Sequence, residues 1–351
     1  MTILTDRQTD RQTDRQTDRQ TDRQKRIDWI DFAKGIAILL VIIGHNVSGP
    51  LRGAIFSFHM PLFFILSCVT YRWSENNEQL VYKTEKAFRH LVIPALFLSI
   101  ISVTRFGLSG NISNDLVSVK LFAKQIILMM TFASGVDVDV FGKVIPAIGL
   151  QWFLVVLFCG RSLFDYCNLR VKNSRLLYLS IIVSILGVFV GKNQKLPLSF
   201  DIALAIFFFF WVGKNFDKFQ IEKNTYKKLL LSFAVWIALL AVTYLYAHSY
   251  LELATREYTL FPLCYVIAIV GTLMISTLSV LLCRIKSLAK PVLFLGRNSL
   301  QLLCIHKIDD LWKRWFHCSN QYMSALLIVA ADLIVLVLVK YIVSWWKENR
   351  K

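Results

Sequence analysis

Long apolar runs separated by short polar segments fill most of the chain after residue 26. A helix needs about 20 mostly apolar residues to cross a bilayer. The candidate runs lie at residues 30–47, 55–71, 91–103, 145–159, 177–190, 198–212, 229–246, 261–283, 292–305 and 324–346. This pattern predicts about ten transmembrane helices. A further apolar segment at 121–132 is short and carries Lys124 and Gln125, so we expect an interfacial or re-entrant helix there.

The fold class follows from the continuity of these runs. Strands of a membrane β-barrel alternate apolar and polar residues, whereas each run here is apolar throughout. We therefore expect an all-α fold, a polytopic transmembrane helix bundle. The composition agrees, because 56% of the residues are hydrophobic and the mean hydropathy is +0.53, which is too apolar for a soluble domain.

Basic residues give the chain a formal charge of +17 and lie mainly in the loops between runs. That placement is typical of membrane topology and argues against a nucleic acid partner. With the N-terminus inside, the cytoplasmic loops hold 16 lysines and arginines and the outer loops hold 11 over longer segments. If residues 121–132 crossed the membrane, the five-lysine loop after residue 212 would face outwards. We therefore expect both termini to be cytoplasmic.

A repeat occupies the start of the chain, where residues 5–24 read TDRQ five times. It contains no apolar residue, so we expect residues 1–26 to be a disordered tail, residues 27–346 the transmembrane domain and residues 347–351 a cytoplasmic tail. A repeated ACAG unit, read in triplets, encodes Thr-Asp-Arg-Gln. Gain or loss of one such unit shifts the reading frame, which predicts phase-variable expression; the alternative is a plain duplication of twelve bases.

The first apolar run carries two ionisable residues whose spacing places them on one helix face. Lys34 and His45 are eleven residues apart, which is close to three full turns, so both lie on one helix face about 16 Å apart. Asp31 falls within about 60° of Lys34 on the same wheel. Ionisable residues within membrane spans are costly and usually mark function. The alternative for Lys34 is that its side chain merely snorkels to the interface.

The expected topology sorts the other polar candidates by membrane side. His59, Trp152, Asp201 and His306 fall near the outer ends of their spans, as does His45. Two further bases, Lys86 and Arg89, fall with Lys34 near the inner surface. A lone histidine is more often structural than catalytic, and Lys86 and Arg89 also fit ordinary topology charges.

Several stretches resemble the membrane-bound acyltransferase 3 family, in particular its sugar O-acetylases. They are 30–35 (IDFAKG) running to Gly44-His45, 58–67 (FHMPLFFILS), 86–89 (KAFR) before Pro94, 152–154 (WFL), Asp201 with the following phenylalanines, and 296–300 (GRNSL) before His306. Many members carry arginine where Lys34 stands and two arginines where Lys86 and Arg89 stand. Cys68 occupies a place where glycine is usual.

The resemblance implies transfer of an acetyl group from acetyl-CoA to an extracytoplasmic sugar hydroxyl across a bacterial inner membrane. It implies that His45 is catalytic, as general base or as carrier of the acetyl group. We assign His59 and Asp31 to the catalytic set, with Asp31 or Asp201 orienting an imidazole. Lys34, Lys86 and Arg89 are then expected to hold the CoA phosphates.

The acceptor side completes the expected site. Trp152 is assigned to stacking on a sugar ring, and Asp201 and His306 to substrate binding. The expected partners are membrane lipids and a surface polysaccharide, lipopolysaccharide or lipid-linked sugar. We expect no metal, because the seven cysteines form no CxxC pair and read as apolar packing residues. The rival classes are a transporter, whose buried charges couple protons, and a receptor or assembly protein without catalysis.

Overall fold

A computed structural model describes residues 27–349 apart from 101–123, 125–126, 141–142, 248, 308–309, 314 and 317. The TDRQ repeat and the predicted disorder of residues 1–26 lie outside the described residues. Of the predicted interfacial segment 121–132, residue 124 and residues 127–132 are described and helical.

Helices dominate the described part of the chain. In order they are α1 (Asp28–Asn46), α2 (Pro50–Phe56), α3 (His59–Val69), α4 (Asn77–Ala87), α5 (Trp152–Arg170), α6 (Asn173–Asn193), α7 (Phe200–Ala205), α8 (Phe207–Lys214), α9 (Thr225–Ala247), α10 (Leu263–Leu282), α11 (Lys286–Arg297), α12 (Ser299–His306), α13 (Asp310–Lys313) and α14 (Gln321–Glu348). A π-helical turn, Phe88–Val92, follows α4 and leads into helical residues 93–100.

Six of the described helices are long and apolar enough to cross a membrane, or seven if the bent pair α7–α8 forms one span. The six are α2 joined to α3, α5 with the turn before it, α6, α9, α10 and α14. These helices confirm a membrane helix bundle. The count of ten spans and the cytoplasmic termini stay predictions. The other predicted spans correspond to α1, to residues 93–100 and to the interrupted pair α11–α12.

Helix α1 lies at the centre of the bundle and packs against α3, α10, α11 and α14. Two glycines make its crossing with α11 close. A Cβ on Gly296 would lie 1.6 Å from the backbone oxygen of Asp31, and a Cβ on Gly35 would lie 2.3 Å from that of Val292. The close crossing therefore sets the rotation of α1 relative to α11, and with it the side of α1 on which Asp31, Lys34 and His45 lie.

Three predicted spans are interrupted rather than continuous. The predicted span 198–212 bends by 53° between α7 and α8, 292–305 breaks at Asn298, and 55–71 is divided at Ser57 and Phe58. Backbone groups freed at a break need new partners in a membrane. At the α7–α8 bend, the Tyr265 hydroxyl donates to the Ala205 carbonyl at 2.8 Å, and the Phe208 N–H donates to Ser184 Oγ at 2.8 Å.

The start of the predicted span 145–159 is wrong. Residues Lys143–Ile145 form a strand paired antiparallel with Val138–Val140, and α5 begins only at Trp152. The apolar residues of this hairpin resemble the start of a span in sequence, because short apolar runs do not distinguish a strand from a helix.

Two long helices present apolar faces outwards. In the apolar windows of α9 and α14 only 11% and 17% of the residues are buried, and large side chains such as Leu245 and Ile342 are exposed. Such faces fit contact with lipid chains. The core instead lies between α3, α5, α7 and α8, where phenylalanines pack edge to face, as in the Phe64–Phe210 pair.

Candidate active site

Two predicted histidines meet in a small cavity at one end of the bundle. The cavity has a volume of about 40 Å³, and its walls include His45, His59, Trp152 and Glu252. They come from the last turn of α1, the first turn of α3, the start of α5 and the loop between α9 and α10. Because the lining residues range from His45 to Ala254, the cavity forms only when the bundle packs.

His45 is exposed at this cavity, although it lies in a packed helix. Its ring lies edge-on to Phe56, with ring centroids 5.4 Å apart. The neighbouring Gly44 makes this contact possible, because a Cβ there would lie 2.9 Å from the Phe56 ring. The imidazole is therefore held on one side while the other side stays open to a reacting group.

His59 is 2% exposed, and its Nδ1 lies 3.0 Å from the Ile55 carbonyl. A carbonyl only accepts, so Nδ1 carries the hydrogen and donates it. Nε2 is left as the acceptor nitrogen. His59 can thus hold a proton-bearing group in a fixed orientation.

His306 joins this group from α12. Its ring centroid lies 5.6 Å from that of His45. Its Nδ1 lies 3.5 Å from Oδ2 of Asp332 in α14, and the two side chains are 2% and 0% exposed. This end of the bundle therefore brings together three histidines and one buried carboxylate.

A second cavity runs along the same face of α1 from Lys34. It has a volume of about 170 Å³, and its walls include Lys34, Met60, Ser67 and Trp152. Met60, Leu150 and Trp152 also line the histidine cavity. The two cavities therefore adjoin at Trp152. The eleven-residue spacing of Lys34 and His45 places one at each end of this pair of cavities.

Trp152 is 4% exposed and packs against Gly135, just before the strand Val138–Val140. A Cβ on Gly135 would lie 2.4 Å from its indole ring, so only glycine allows this contact. The indole forms part of the boundary between the two cavities. Its assignment to sugar stacking stays a prediction.

The other predicted bases lie elsewhere. Arg89 is exposed and pairs with Glu85 on its own helical segment. Neither Lys86 nor Arg89 lines the cavity at Lys34, although Leu91 does. Their role in binding CoA phosphates stays a prediction, and the structure does not bring them to the cavity wall.

Both predicted aspartates pair with arginines. Asp31 lies 3.4 Å from Arg297 and fourteen residues before His45, about 21 Å along the helix. It therefore does not contact the His45 imidazole. Asp201 is 0% exposed and lies 2.9 Å from Nε of Arg256, which is 1% exposed.

The Asp201–Arg256 pair supports the loop over the histidine cavity. The Arg256 guanidinium also donates to Ser134 Oγ, Ser199 Oγ and the Ala254 carbonyl. Ala254 belongs to the stretch 251–254 that forms one wall of the cavity. Asp201 therefore contacts the cavity wall only indirectly, through Arg256 and the loop at 251–254. A direct role in substrate binding stays a prediction.

Glu252 brings an acidic side chain to the same wall. Burial raises the pKa of its carboxyl, and the Arg52 guanidinium, 3.6 Å away, opposes this shift. Arg52 also lies over the Phe56 ring, 4.8 Å from its centroid. The loop therefore contributes a weakly acidic group beside His45 and His59.

Sequence reasoning missed Asp332, Arg256, Arg52 and Glu252. For Asp332 a signal exists, because it is the one acidic residue between Gln321 and Lys347 in an otherwise apolar helix. The other three lie in the loop between α9 and α10 or in the short helix α2, where charged residues are common and carry no such signal. Among the described residues, no group of three metal-ligating side chains comes together.

The described helices form a membrane bundle that holds a group of polar side chains at one end. The family model for the acyltransferase 3 domain matches residues 27–345. The chain therefore belongs to the acyltransferase 3 family and is a membrane acyltransferase. No curated protein and no solved structure matches it.

Proposed function

We propose that the protein is an O-acetyltransferase of a bacterial inner membrane. It takes the acetyl group from cytoplasmic acetyl-CoA and transfers it to a hydroxyl of a cell-surface polysaccharide or lipopolysaccharide sugar on the outer side. The observation that carries this proposal is the pair of adjoining cavities between Lys34 and His45. A donor made on one side and an acceptor found on the other need such a path.

The ends of the path suit the two substrates. Lys34 is a point charge at the predicted inner end, suited to a phosphate of CoA. The walls beyond it are mostly apolar, including Ile38, Phe63 and Leu303, and suit the uncharged pantetheine arm. The rise of about 16 Å from Lys34 to His45 is the distance that arm has to cover.

The chemistry then falls to His45. The sugar hydroxyl oxygen attacks the thioester carbonyl carbon, and His45 takes the hydroxyl proton as general base. The C–S bond breaks, the thiolate of CoA leaves, and the proton passes from the imidazolium to that sulfur. The products are the acetyl ester and free CoA. The alternative is that His45 first takes the acetyl group on a ring nitrogen and passes it to the sugar in a second step.

Inside-out vesicles given radiolabelled acetyl-CoA test the proposal. Label should enter the glycan fraction with wild-type protein and fall by about 10² to 10⁴ with His45→Gln, the usual loss for an acid–base group. His90→Gln is the matched control, because His90 is exposed on the segment after α4. Near-normal labelling with His45→Gln, at equal protein level, would refute the assignment.

A second arm tests the donor end. Lys34→Ala should raise the acetyl-CoA concentration needed for half-maximal rate, and Lys34→Arg should largely preserve it, since both side chains pair with phosphate. The exposed Lys227→Ala serves as control. Vesicles that move a solute but label no glycan would favour the transporter class instead.

A further inference from the structure

The buried carboxylate of Asp332 is unusual in its setting. It lies in α14, whose other residues near it are apolar, and it is 0% exposed. A carboxylate within a membrane helix is costly and is tolerated only with a compensating partner. The partner that the fold supplies is His306, from the helix packed against α14.

The nitrogen of His306 that faces Asp332 determines which tautomer the ring adopts. Asp332 Oδ2 lies 3.5 Å from Nδ1 of His306, not from Nε2. A carboxylate at Nδ1 favours the tautomer that carries its hydrogen there, which leaves Nε2 as an acceptor. The His306 ring lies 5.6 Å from that of His45 between centroids. The two rings are therefore neighbours, and catalytic hydrogen bonds that are long without substrate often shorten when it binds.

We propose that Asp332 is a positioning residue for the transfer, acting through His306. Asp332 holds the Nδ1–H of His306, and the Nε2 of His306 accepts a hydrogen bond from the imidazolium that His45 becomes when it takes the hydroxyl proton. The proton stays on His45 until it passes to the departing sulfur, so the pair stabilises a transient charge without consuming a proton. This inference rests on the proposed acetyl transfer and names two further groups in it.

The test compares Asp332 variants in vesicles given radiolabelled acetyl-CoA, with rates divided by the amount of folded protein. Asp332→Asn keeps the shape but loses the charge. It should lower kcat at least tenfold while the KM for acetyl-CoA stays within about twofold, because the donor end is untouched. Asp332→Glu should restore part of kcat. The double variant Asp332→Asn/His306→Gln should be no slower than His306→Gln alone, because residues acting as one unit are not additive.

A matched control separates positioning from simple stability. Asp165 is also 0% exposed, but it accepts from Tyr71 and Ser74 at another part of the bundle. Asp165→Asn should lower thermal stability without lowering kcat per folded molecule. Asp332→Leu should also be slow per folded molecule, because leucine has no oxygen to hold the Nδ1–H of His306.

The results of these assays distinguish failure of the positioning role from failure of the proposed function. An Asp332→Asn or Asp332→Leu protein with wild-type kcat overturns the positioning role and leaves the proposed acetyl transfer standing. A rate loss that merely follows the loss of folded protein also overturns it, as does full additivity with His306→Gln. A wild-type protein that labels no glycan overturns the proposed function, and the positioning role with it.

Discussion

The buried pair between Asp201 and Arg256 offers the sharpest distinction between a structural role and a substrate-binding role. Asp201→Asn removes the charge that faces the Arg256 guanidinium at 2.9 Å, and both side chains are at most 1% exposed. Removing one member of a buried ion pair costs about 3–5 kcal/mol, because the other charge stays buried. Arg256 keeps three other acceptors, in Ser134, Ser199 and the Ala254 carbonyl. We therefore expect the lower end, about 3 kcal/mol, or roughly a hundredfold in the folding equilibrium.

The assay heats detergent-solubilised protein and measures the fraction that stays monodisperse, alongside glycan labelling per folded molecule. Asp201→Asn should melt well below wild type. Glu85→Gln, at the exposed pair with Arg89, should change the melting temperature little, because exposed pairs contribute little.

The double variant Asp201→Leu/Arg256→Met decides the role of Asp201. Replacing both charges by apolar residues is often neutral for stability, so melting should return towards wild type. Labelling should return with it if Asp201 only supports the loop at 251–254. A stable but inactive double variant would refute this reasoning and assign Asp201 to the acceptor, as the sequence predicted.

Three further predictions follow from other parts of the chain. Gly296→Ala should destabilise the protein by about 1–3 kcal/mol or more, because its Cβ meets the Asp31 backbone at 1.6 Å; thermal melting beside the exposed Ser287→Ala checks it. The raised pKa of Glu252 means that the folded state holds its proton more tightly, so stability falls as pH rises above the ordinary value of about 4.3. Glu252→Gln should flatten that fall and exposed Glu222→Gln should not, in melting curves across pH. Clonal isolates should differ by four-base units in the tract that encodes the TDRQ repeat, and isolates with a shifted reading frame should lack the protein. Loss of one twelve-base unit should leave glycan labelling intact. A tract of fixed length over many passages would contradict this prediction.

The sequence alone predicted the class of protein and the helix face that carries Lys34 and His45. Apolar runs of membrane length require helices, because a bilayer offers no partner for free backbone groups. The spacing of Lys34 and His45 put both on one face of α1, since helix geometry is local. That face does line the two adjoining cavities. Counting spans also predicted that His45, His59, Trp152 and His306 lie at the same end of the bundle, because each crossing reverses direction.

Pairings between distant helices were decided only by the tertiary structure. Asp201 and Arg256 are 55 residues apart, and nothing local relates them. Asp31 pairs with Arg297 because two glycines let α11 cross α1 closely. The bend between α7 and α8 is equally invisible in hydropathy, since the residues at the bend are as apolar as their neighbours. It exists because Tyr265 and Ser184, on other helices, satisfy the backbone groups that the bend frees. Local spacing fixes which face a residue occupies, whereas its partner depends on packing that no single helix contains.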